Sequence, residues 1–466
     1  MNTTCQFASL SEALYSCGNT RDRFIQDSVE QLPFHLLLES SSLYGRAEEL
    51  RGCSVLLATQ AQLTTVAAMI ELDGLARRIV LCPPDVRIEQ LPYVMKAAEI
   101  DGIVSDRDIS QLRHKGPLYF SPCTRNMVPR QASERSQYAT EWILLTSGTT
   151  GLPKLVVHTL SSLCAAIYRD DGRYSNIVWS TFYDIRRYGG LQILLRAILT
   201  GGSMVLCDSV DSPSAFLDRA RSSGVTHISG TPSHWRRALL SPAAGQFQPR
   251  YVRLSGEPVD QAILNRLRDA YPSARIVHAF ASTEAGVAFE VIDGLHGFPG
   301  EVLHRESGPE IKIQDGTLRI RSAGVADRYL GDNPPQIADD LGFVDTKDII
   351  QPQDDRYYFA GRSDGVINVG GLKVFPEEVE SVLARHPEVH MCLVRARKSP
   401  ITGDLIVADV VLKSSEALAT HQQSGIQKDI LQFCRAVLPP HKVPAIINIV
   451  PMLLISNAGK MVRSSA

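Results

Sequence analysis

EWILLTSGTTGLPKLVVHT, residues 141–159, places a loop rich in hydroxyls and glycine between two short apolar segments. The segments Trp142–Leu145 and Leu155–His158 predict two buried strands. Glycines let a backbone approach a ligand closely, while hydroxyls, bare N–H groups and a lysine can bind phosphate oxygens. The spacing is not that of a Walker loop, because Gly151 follows Gly148 too soon. The stretch therefore favours a phosphate-binding loop of another kind over an ordinary Thr/Gly-rich turn.

Length and composition limit the classes of protein that fit. A chain of 466 residues predicts two or more domains. A net charge of −2 does not indicate a nucleic-acid-binding surface or a polybasic membrane-binding patch. No run of 18 apolar residues predicts a membrane span, and the N-terminus lacks the regions of a signal peptide. Nine scattered cysteines without a CxxC motif predict free thiols in the cytoplasm.

Strand and helix signals alternate along most of the chain. Before the loop, strands are predicted at 54–58, 78–82 and 102–105, with helices at 63–75 and 91–100. After it, the predicted elements are helices at 161–168 and 191–199 and strands at 176–182, 203–207, 226–229, 251–255 and 275–280. Such alternation predicts a mostly parallel sheet covered by helices. Glu310–Arg321 predicts a hairpin with a type I′ turn at Asp315-Gly316.

Short motifs follow the loop in a fixed order. They are SGEP at 255–258, FASTE at 280–284, GFVDTKD at 342–348, GRSD at 361–364, GGLK at 370–373 and SNAGKMVR at 456–463. Together with TSGTTGLPK at 146–154, they resemble the motifs of the adenylate-forming superfamily of acyl- and aryl-CoA ligases, peptide-synthetase adenylation domains and luciferases. The resemblance extends from about Ser54 to Arg463.

The resemblance implies an α/β fold in two parts. Residues 1–361 would form a large N-terminal domain of layered parallel sheets with helices and a β-hairpin region. Residues 362–466 would form a small, mobile α+β C-terminal lid. The region before the loop is short for the family, so we expect part of the usual N-terminal subdomain to be trimmed.

The resemblance also implies which residues bind the nucleotide. Phe280 would lie against the adenine and Asp348 would hold the ribose hydroxyls. The full ATP/AMP set is Thr146, Ser147, Gly148, Thr149, Thr150, Gly151, Lys154, Gly256, Glu257, Pro258, Ala279, Phe280, Ala281, Asp348 and Arg362. Two positions depart from the family pattern, since Ala281 and Lys347 stand where glycine is usual. The ordinary alternatives are a strand-to-helix turn at SGEP and a loop aspartate at Asp348.

Catalytic roles are implied for Lys460, Glu284 and Thr283. Glu284 would hold Mg²⁺ on the phosphates with Thr149, since Mg²⁺ prefers hard oxygen ligands. Lys460 matches the adenylation lysine. The alternatives are that Glu284 caps a helix and that Lys460 is a solvated residue on a fraying tail.

The C-terminal part carries the lid motifs. Asp364 would be the hinge, and the acyl-acceptor loop would be Gly370, Gly371 and Lys373, whose glycines admit a thin thiol arm. Arg395, Arg397 and Lys398 form a cluster at a predicted strand end that would suit the phosphates of coenzyme A. A tight turn and a solvated strand end are the alternatives.

The acid pocket is the least defined site. Related CoA ligases commonly read like PLFH where this chain reads TFYDIRRYGG, residues 181–190. Tyr183, Asp184 and Arg186 are the candidates there, the alternative being surface charges at a helix start.

Three functions follow, in order of preference. The first is an ATP- and Mg²⁺-dependent ligase that activates a small carboxylic acid as an acyl adenylate and transfers the acyl group to coenzyme A. The second uses the same chemistry with a carrier protein or an amine as acceptor. The third is a non-catalytic nucleotide-binding relative.

Overall fold

The computed structural model describes residues 7–107, 119–130, 138–146, 152–167, 176–208, 211–369, 371–399, 403–413 and 420–453. Ser147, Gly148, Thr149, Thr150 and Gly151 of the loop lie outside these ranges, as do Gly370 and Lys460.

Helices and strands alternate up to the glycine-rich loop. In chain order they are α1 Leu10–Ser16, β1 Phe24–Gln26, β2 Gln31–Pro33, α2 Phe34–Glu39, β3 Ser40–Ser41, β4 Ser54–Leu57, α3 Gln62–Leu72, β5 Arg78–Leu81, α4 Leu91–Ala97, β6 Gly102–Ser105, β7 Tyr119–Pro122, β8 Val128–Pro129 and β9 Glu141–Thr146.

The alternation resumes after the loop. The elements are β10 Lys154–His158, α5 Leu160–Cys164, β11 Val178–Thr181, α6 Tyr188–Leu199, β12 Ser203–Val205, α7 Pro213–Ser222, β13 His227–Gly230, α8 Pro232–Ala238, β14 Tyr251–Ser255, α9 Gln261–Ala270, β15 Arg275–Ser282 and β16 Gly286–Val291. Side-chain caps begin several of these helices: Ser212, Thr231 and Asp260 each accept a backbone N–H of the first turn, and proline follows the first two.

Strands dominate the remaining chain. The elements are β17 Phe298–Pro299, β18 Glu310–Gln314, β19 Thr317–Arg321, β20 Arg328–Leu330, β21 Val344–Gln353, β22 Arg356–Arg362, β23 Ile367–Val369, β24 Leu372–Val374, α10 Pro376–Leu383, β25 Val389–Ser399, β26 Gly403–Leu412, α11 Thr420–Val437 and β27 Ile446–Ile449.

Two large, mostly parallel sheets organise the described part of the chain before Phe298, and β20 joins one of them from further along the chain. One has eight strands in the order β16-β15-β14-β13-β11-β12-β1-β2, and only its edge strands β16 and β2 run antiparallel. The other has seven strands in the order β20-β10-β9-β5-β4-β6-β7, with β10 and β20 antiparallel at one end. The predicted parallel α/β architecture is confirmed.

Helices α3 and α6 lie between these two sheets. Every residue of α3 is buried, and its side chains share one core with Leu57 and Trp142 of the seven-stranded sheet and with Trp179 of the eight-stranded sheet. Helices α7, α8 and α9 cover the other face of the eight-stranded sheet. Burial on all sides is typical of a helix in such an inner layer.

The hairpin region forms a separate antiparallel sheet in the order β17-β22-β21-β19-β18. The predicted turn at its tip is confirmed, because Asp315 and Gly316 have φ of 53° and 76°, as a type I′ turn requires. The sheet β24-β23-β26-β25, with β27 beside β26, packs with α10 and α11 around its own core. We propose that the domain division, predicted between 361 and 362, lies at 363–366, between the end of β22 and the start of β23.

Several predicted boundaries were wrong by a few residues. Helix α6 begins at Tyr188 rather than Leu191, and α5 ends at Cys164. Strand β15 does not end at Phe280 but continues to Ser282, because pairing with antiparallel β16 extends it. No helix in the described residues is both long and apolar enough to cross a membrane.

Candidate active site

The ends of the glycine-rich loop are held opposite each other. Strands β9 and β10 pair antiparallel, and Thr146 is in register with Lys154. The middle residues of both strands are buried in the seven-stranded sheet. This arrangement fixes where the loop starts and ends, while Lys154 itself is exposed at its edge.

The FASTE motif forms a second hairpin, between β15 and β16. A bulge lies at Phe280/Ala281, and Thr283 and Glu284 occupy the turn. The alternative that Glu284 caps a helix was wrong, because a strand and not a helix follows. Gly286 has φ of +78°, and a Cβ there would lie 2.7 Å from the carbonyl oxygen of Gly324. The turn therefore needs glycine to pack against its neighbour.

His158 ties the two hairpins together. Its Nε2 lies 2.7 Å from the carbonyl oxygen of Thr283, and its Nδ1 lies 3.0 Å from Oγ of Ser162. A carbonyl only accepts, so Nε2 carries the proton and Nδ1 accepts from the serine. Burial lowers the pKa of His158 to about 4, so the neutral ring persists at neutral pH.

Tyr329 joins Glu284 to the lysine of the loop. Its hydroxyl donates to Oε1 of Glu284 at 3.1 Å, and Nζ of Lys154 lies 5.5 Å from the centroid of its ring. Strand β20 brings Tyr329 there by pairing with β10. Burial and the charge of Glu284 raise the pKa of Tyr329, which keeps the phenol protonated as a donor.

Asp348 and Arg362 lie beside this group on paired strands. They are in register on β21 and β22, and their closest side-chain atoms are 3.9 Å apart. Arg362 also binds both carboxylate oxygens of Asp364 at 2.9 Å. The pKa of Arg362 is raised by its hydrogen bond to Asp364 and, more weakly, by the charges of Asp348 and Glu284.

The backbone conformation of Lys347 is one that glycine, the usual residue of the family motif, adopts without strain. Its φ is +65°, a left-handed conformation that costs a lysine about 1–2 kcal/mol. The side chain recovers little of this cost, because its 2.8 Å ion pair with Asp345 is half exposed. The chain thus keeps the backbone geometry of the motif without the glycine.

Ser255 to Pro258 forms the turn at the carboxyl end of β14. Gly256 has φ of +86° and Glu257 accepts from the backbone N–H and the hydroxyl of Ser233. The ring of Phe280 packs parallel to Phe289 and Phe359, with centroids 5.8 and 5.2 Å away. Contacts of Gly256, Glu257, Pro258, Ala279, Phe280 and Ala281 with a nucleotide stay predictions.

The three acid-pocket candidates are not surface charges, so that alternative was wrong. Arg186 is fully buried and donates to both oxygens of Asp184 and to the carbonyl oxygens of Thr59 and Gln60. The pair Asp184–Arg186 thus fastens the β11–α6 connection to the end of β4. Tyr183 is buried and donates to the carbonyl oxygen of Ser255 at 2.6 Å. Contact of these residues with an acid stays a prediction.

The lid motifs lie on the C-terminal sheet. Gly371 has φ of +86° in the turn between β23 and β24, and Lys373 is exposed on β24. The predicted cation cluster was wrong for Lys398, because residues 395–398 lie within β25, where Arg395 and Arg397 share one face and Lys398 lies on the other. Arg395 pairs with Asp409 at 2.9 Å, while Lys398 points to the opposite face and contacts Asp404.

The donor chemistry at Glu284 suits Mg²⁺. Glu284 is a half-buried carboxylate with one oxygen held by Tyr329, and its other oxygen would be a hard ligand of the kind that Mg²⁺ prefers. Thr149 as a second ligand stays a prediction.

Sequence reasoning missed Tyr329 and His158. His158 ends an apolar strand and contacts the FASTE turn from 125 residues away, while Tyr329 lies on the short strand β20 and contacts Glu284 from 45 residues away. The signal available for His158 was a polar aromatic side chain inside an otherwise apolar strand.

Comparisons with known proteins define the class. A sequence model described as AMP-binding enzyme matches residues 52–330, more than half of the chain, and one described as AMP-binding enzyme C-terminal domain matches residues 378–460. The chain belongs to the AMP-binding enzyme family, the adenylate-forming superfamily that its motifs resemble.

Individual relatives are distant. Human mitochondrial acyl-coenzyme A synthetase ACSM2B is 27% identical over 384 residues, which cover 76% of this chain and 64% of that protein, so the chain spans just under two thirds of the relative's length. The benzoate CoA ligase of Burkholderia xenovorans LB400 has a similar structure, with a TM-score of 0.80, 18% identity and coverage of 98% and 99%. The amide bond synthetase McbA of Marinactinospora thermotolerans has a TM-score of 0.76 at 18% identity, with 97% of each chain covered. At these identities the two structures support the fold alone.

Proposed function

We propose that this protein activates a small carboxylic acid with ATP and transfers the acyl group to coenzyme A. The acid attacks the α-phosphorus of ATP, pyrophosphate leaves, and the acyl adenylate forms. The thiol then attacks the acyl carbon and expels AMP. The observation that carries the proposal is the convergence of Lys154, Glu284, Asp348 and Arg362, from four separate motifs, together with Tyr329 of β20, onto one edge of the fold.

Each residue has a separate task in the first step. Lys154 and the loop 147–151 would bind the phosphates, and Asp348 with Arg362 would hold the ribose. Mg²⁺ on Glu284 would neutralise charge on the phosphates. Lys460 would stabilise the charge that develops at the α-phosphate, and such preorganised charge is usually the largest catalytic contribution.

The second step would use the other face of the lid. The small domain would rotate about Asp364, withdraw Lys460 and bring Gly370, Gly371 and Lys373 towards the adenylate. The exposed turn at Gly371 supports this assignment. Coenzyme A is favoured as acceptor by the relative named as an acyl-coenzyme A synthetase. The split cation cluster on β25 no longer supports it.

An amine acceptor is the second candidate, supported by the structural similarity to an amide bond synthetase. A carrier protein is the third candidate acceptor.

We propose the cytoplasm as the compartment, because none of the described cysteines is in a disulfide.

The test has two stages. Acid-dependent exchange of labelled pyrophosphate into ATP, run with a panel of carboxylic acids, separates an enzyme from a non-catalytic relative. With a competent acid, coenzyme A, hydroxylamine and simple amines are then offered separately while AMP release is followed. Saturable acceleration by coenzyme A supports the thioester, whereas saturation by amines alone assigns an amide-forming ligase.

A further inference from the structure

Two arginines and one glutamate meet on the face of the eight-stranded sheet that α6 covers. Arg253 of β14 donates from Nε to Oε1 of Glu290 on β16 at 3.1 Å, and its Nη2 lies 3.1 Å from the same oxygen. Arg196 of α6 approaches that oxygen with Nη2 at 3.9 Å. Within the described residues, two guanidinium groups thus share one carboxylate, and the cluster has an excess of one positive charge.

This excess charge is buried. The side chain of Arg253 is 4% exposed and that of Arg196 is 17% exposed. Nε of Arg196 has no hydrogen-bond partner among the described residues, and Nη2 of Arg253 has the ion pair with Glu290 but no well-aligned hydrogen bond there. Burial lowers the pKa of Arg196, and repulsion from Arg253 lowers it further. A buried cation in excess is unfavourable unless an anion compensates it.

The cluster lies below the turn that ends β14. Alternate residues of a strand share a face, so Arg253 and Ser255 point to the same side, about 7 Å apart. Ser255 is in register with Ala279, and both are small, while Glu290, in register with Ala279 on the other side, reaches back along the same face to Arg253. Tyr183 donates to the carbonyl oxygen of Ser255, and the charge of Arg253 partly offsets the rise that burial causes in the pKa of this tyrosine.

The strand ends are where the acid must lie if the proposed function is correct. Ligands in open α/β sheets bind beyond the carboxyl ends of the strands, and Glu284 and the Ser255–Pro258 turn are at that edge. An acid placed with its reacting carboxylate at the edge would extend along this sheet face towards Arg253.

We propose, building on the proposed function, that the substrate is a dicarboxylic acid whose distal carboxylate binds Arg253, with Arg196 supporting the charge. The planar guanidinium offers a paired donor set to a carboxylate, and the single oxygen of Glu290 leaves part of that set unused. A neutral acyl tail would leave the cation uncompensated.

The experiment compares acids that differ only in the distal charge. Adipate and hexanoate have the same chain length, as do glutarate and pentanoate, and each is tested in pyrophosphate exchange and for stabilisation of the full-length protein in thermal unfolding. We expect kcat/KM for adipate to exceed that for hexanoate at least ten-fold, with a larger rise in Tm. Equal or higher values for hexanoate overturn the proposal.

Variants assign the effect to the cluster. Arg253→Met should reduce the adipate-to-hexanoate ratio at least ten-fold by raising KM for adipate, while Arg253→Lys keeps part of it. Glu290→Gln removes the competing carboxylate and should increase the ratio, an effect that loss of structure would not produce. Arg250→Met, at an exposed arginine immediately before β14, is the matched control. If Arg253→Met does not fold, an unchanged ratio in Glu290→Gln and Arg196→Met overturns the proposal.

The two proposals fail differently. If no acid supports exchange but adipate still raises Tm in an Arg253-dependent way, the ligase function is wrong and the dicarboxylate site stands. If monocarboxylates alone support exchange, the ligase function stands and the dicarboxylate site is wrong.

Discussion

The hydroxyl of Tyr329 donates a hydrogen bond to Oε1 of Glu284 at 3.1 Å, and the same ring lies under Nζ of Lys154. One side chain therefore positions the carboxylate proposed for Mg²⁺ and the lysine that ends the phosphate loop. These residues come from three strands of two different sheets, β10, β20 and the end of β15, so their relative position depends on how the sheets pack.

Tyr329→Phe tests this positioning role. The change keeps the ring beside Lys154 but removes the hydrogen bond to Glu284. A hydrogen bond to a charged group contributes about 1.5–3 kcal/mol, so exchange should fall roughly 10- to 100-fold. The apparent KM for Mg²⁺ should rise, while Tm changes little.

The matched control is Tyr358→Phe, which alters a half-buried tyrosine on the neighbouring antiparallel sheet. Equal losses in the two variants, or an unchanged response to Mg²⁺ in Tyr329→Phe, would contradict the role given to Tyr329.

Lys460→Ala tests the division of labour between the lid states. Exchange should fall by about two to three powers of ten, as expected for loss of a preorganised charge donor. Transfer from supplied acyl adenylate to coenzyme A should be nearly unchanged, because the lid has then withdrawn the lysine. Similar losses in both half-reactions would remove Lys460 from its adenylation role.

Asp364→Pro tests the hinge. Proline fixes φ near −65°, so a residue that must change its backbone conformation between lid states would be trapped in one of them. We expect exchange to survive and overall product formation to collapse. Asp364→Asn is the control, because it weakens the ion pair with Arg362 but leaves the backbone free. Parallel losses in both variants would assign the effect to the ion pair.

His158→Gln tests the neutral histidine between the hairpins. The folded protein holds the pKa of His158 at about 4, below the 6.5 of an ordinary histidine, so the unfolded chain binds more protons between these values. The free energy of unfolding should therefore fall as pH drops from about 6.5 to about 4. The variant, whose amide can still donate to Thr283, should lose less stability over this range.

Urea unfolding at several pH values measures the difference. His304→Gln, at an exposed histidine, serves as control and should follow the wild type. A variant curve that is parallel to the wild-type curve would show that His158 does not titrate as described.

The sequence alone determined the class of fold and the order of the site motifs. Alternation of apolar strands with helices is a local property, so the parallel sheets and the turn at Asp315-Gly316 could be predicted. Glycines at Gly256 and Gly371 marked backbone positions that side chains rarely adopt. The motif order also indicated the family, which the matched regions confirm.

Tertiary structure decided which side chains meet. Sequence gives the face of a strand but not the partner across a layer, so neither the contact of Tyr329 with Glu284 nor that of His158 with Thr283 was predictable. Lys398 is adjacent to the arginines of β25 in sequence yet lies on the opposite face of the strand, and the charges of Asp184 and Arg186 satisfy each other inside the protein. The excess charge at Arg253 arises because packing of α6 against β14 and β16 brings two arginines to one glutamate.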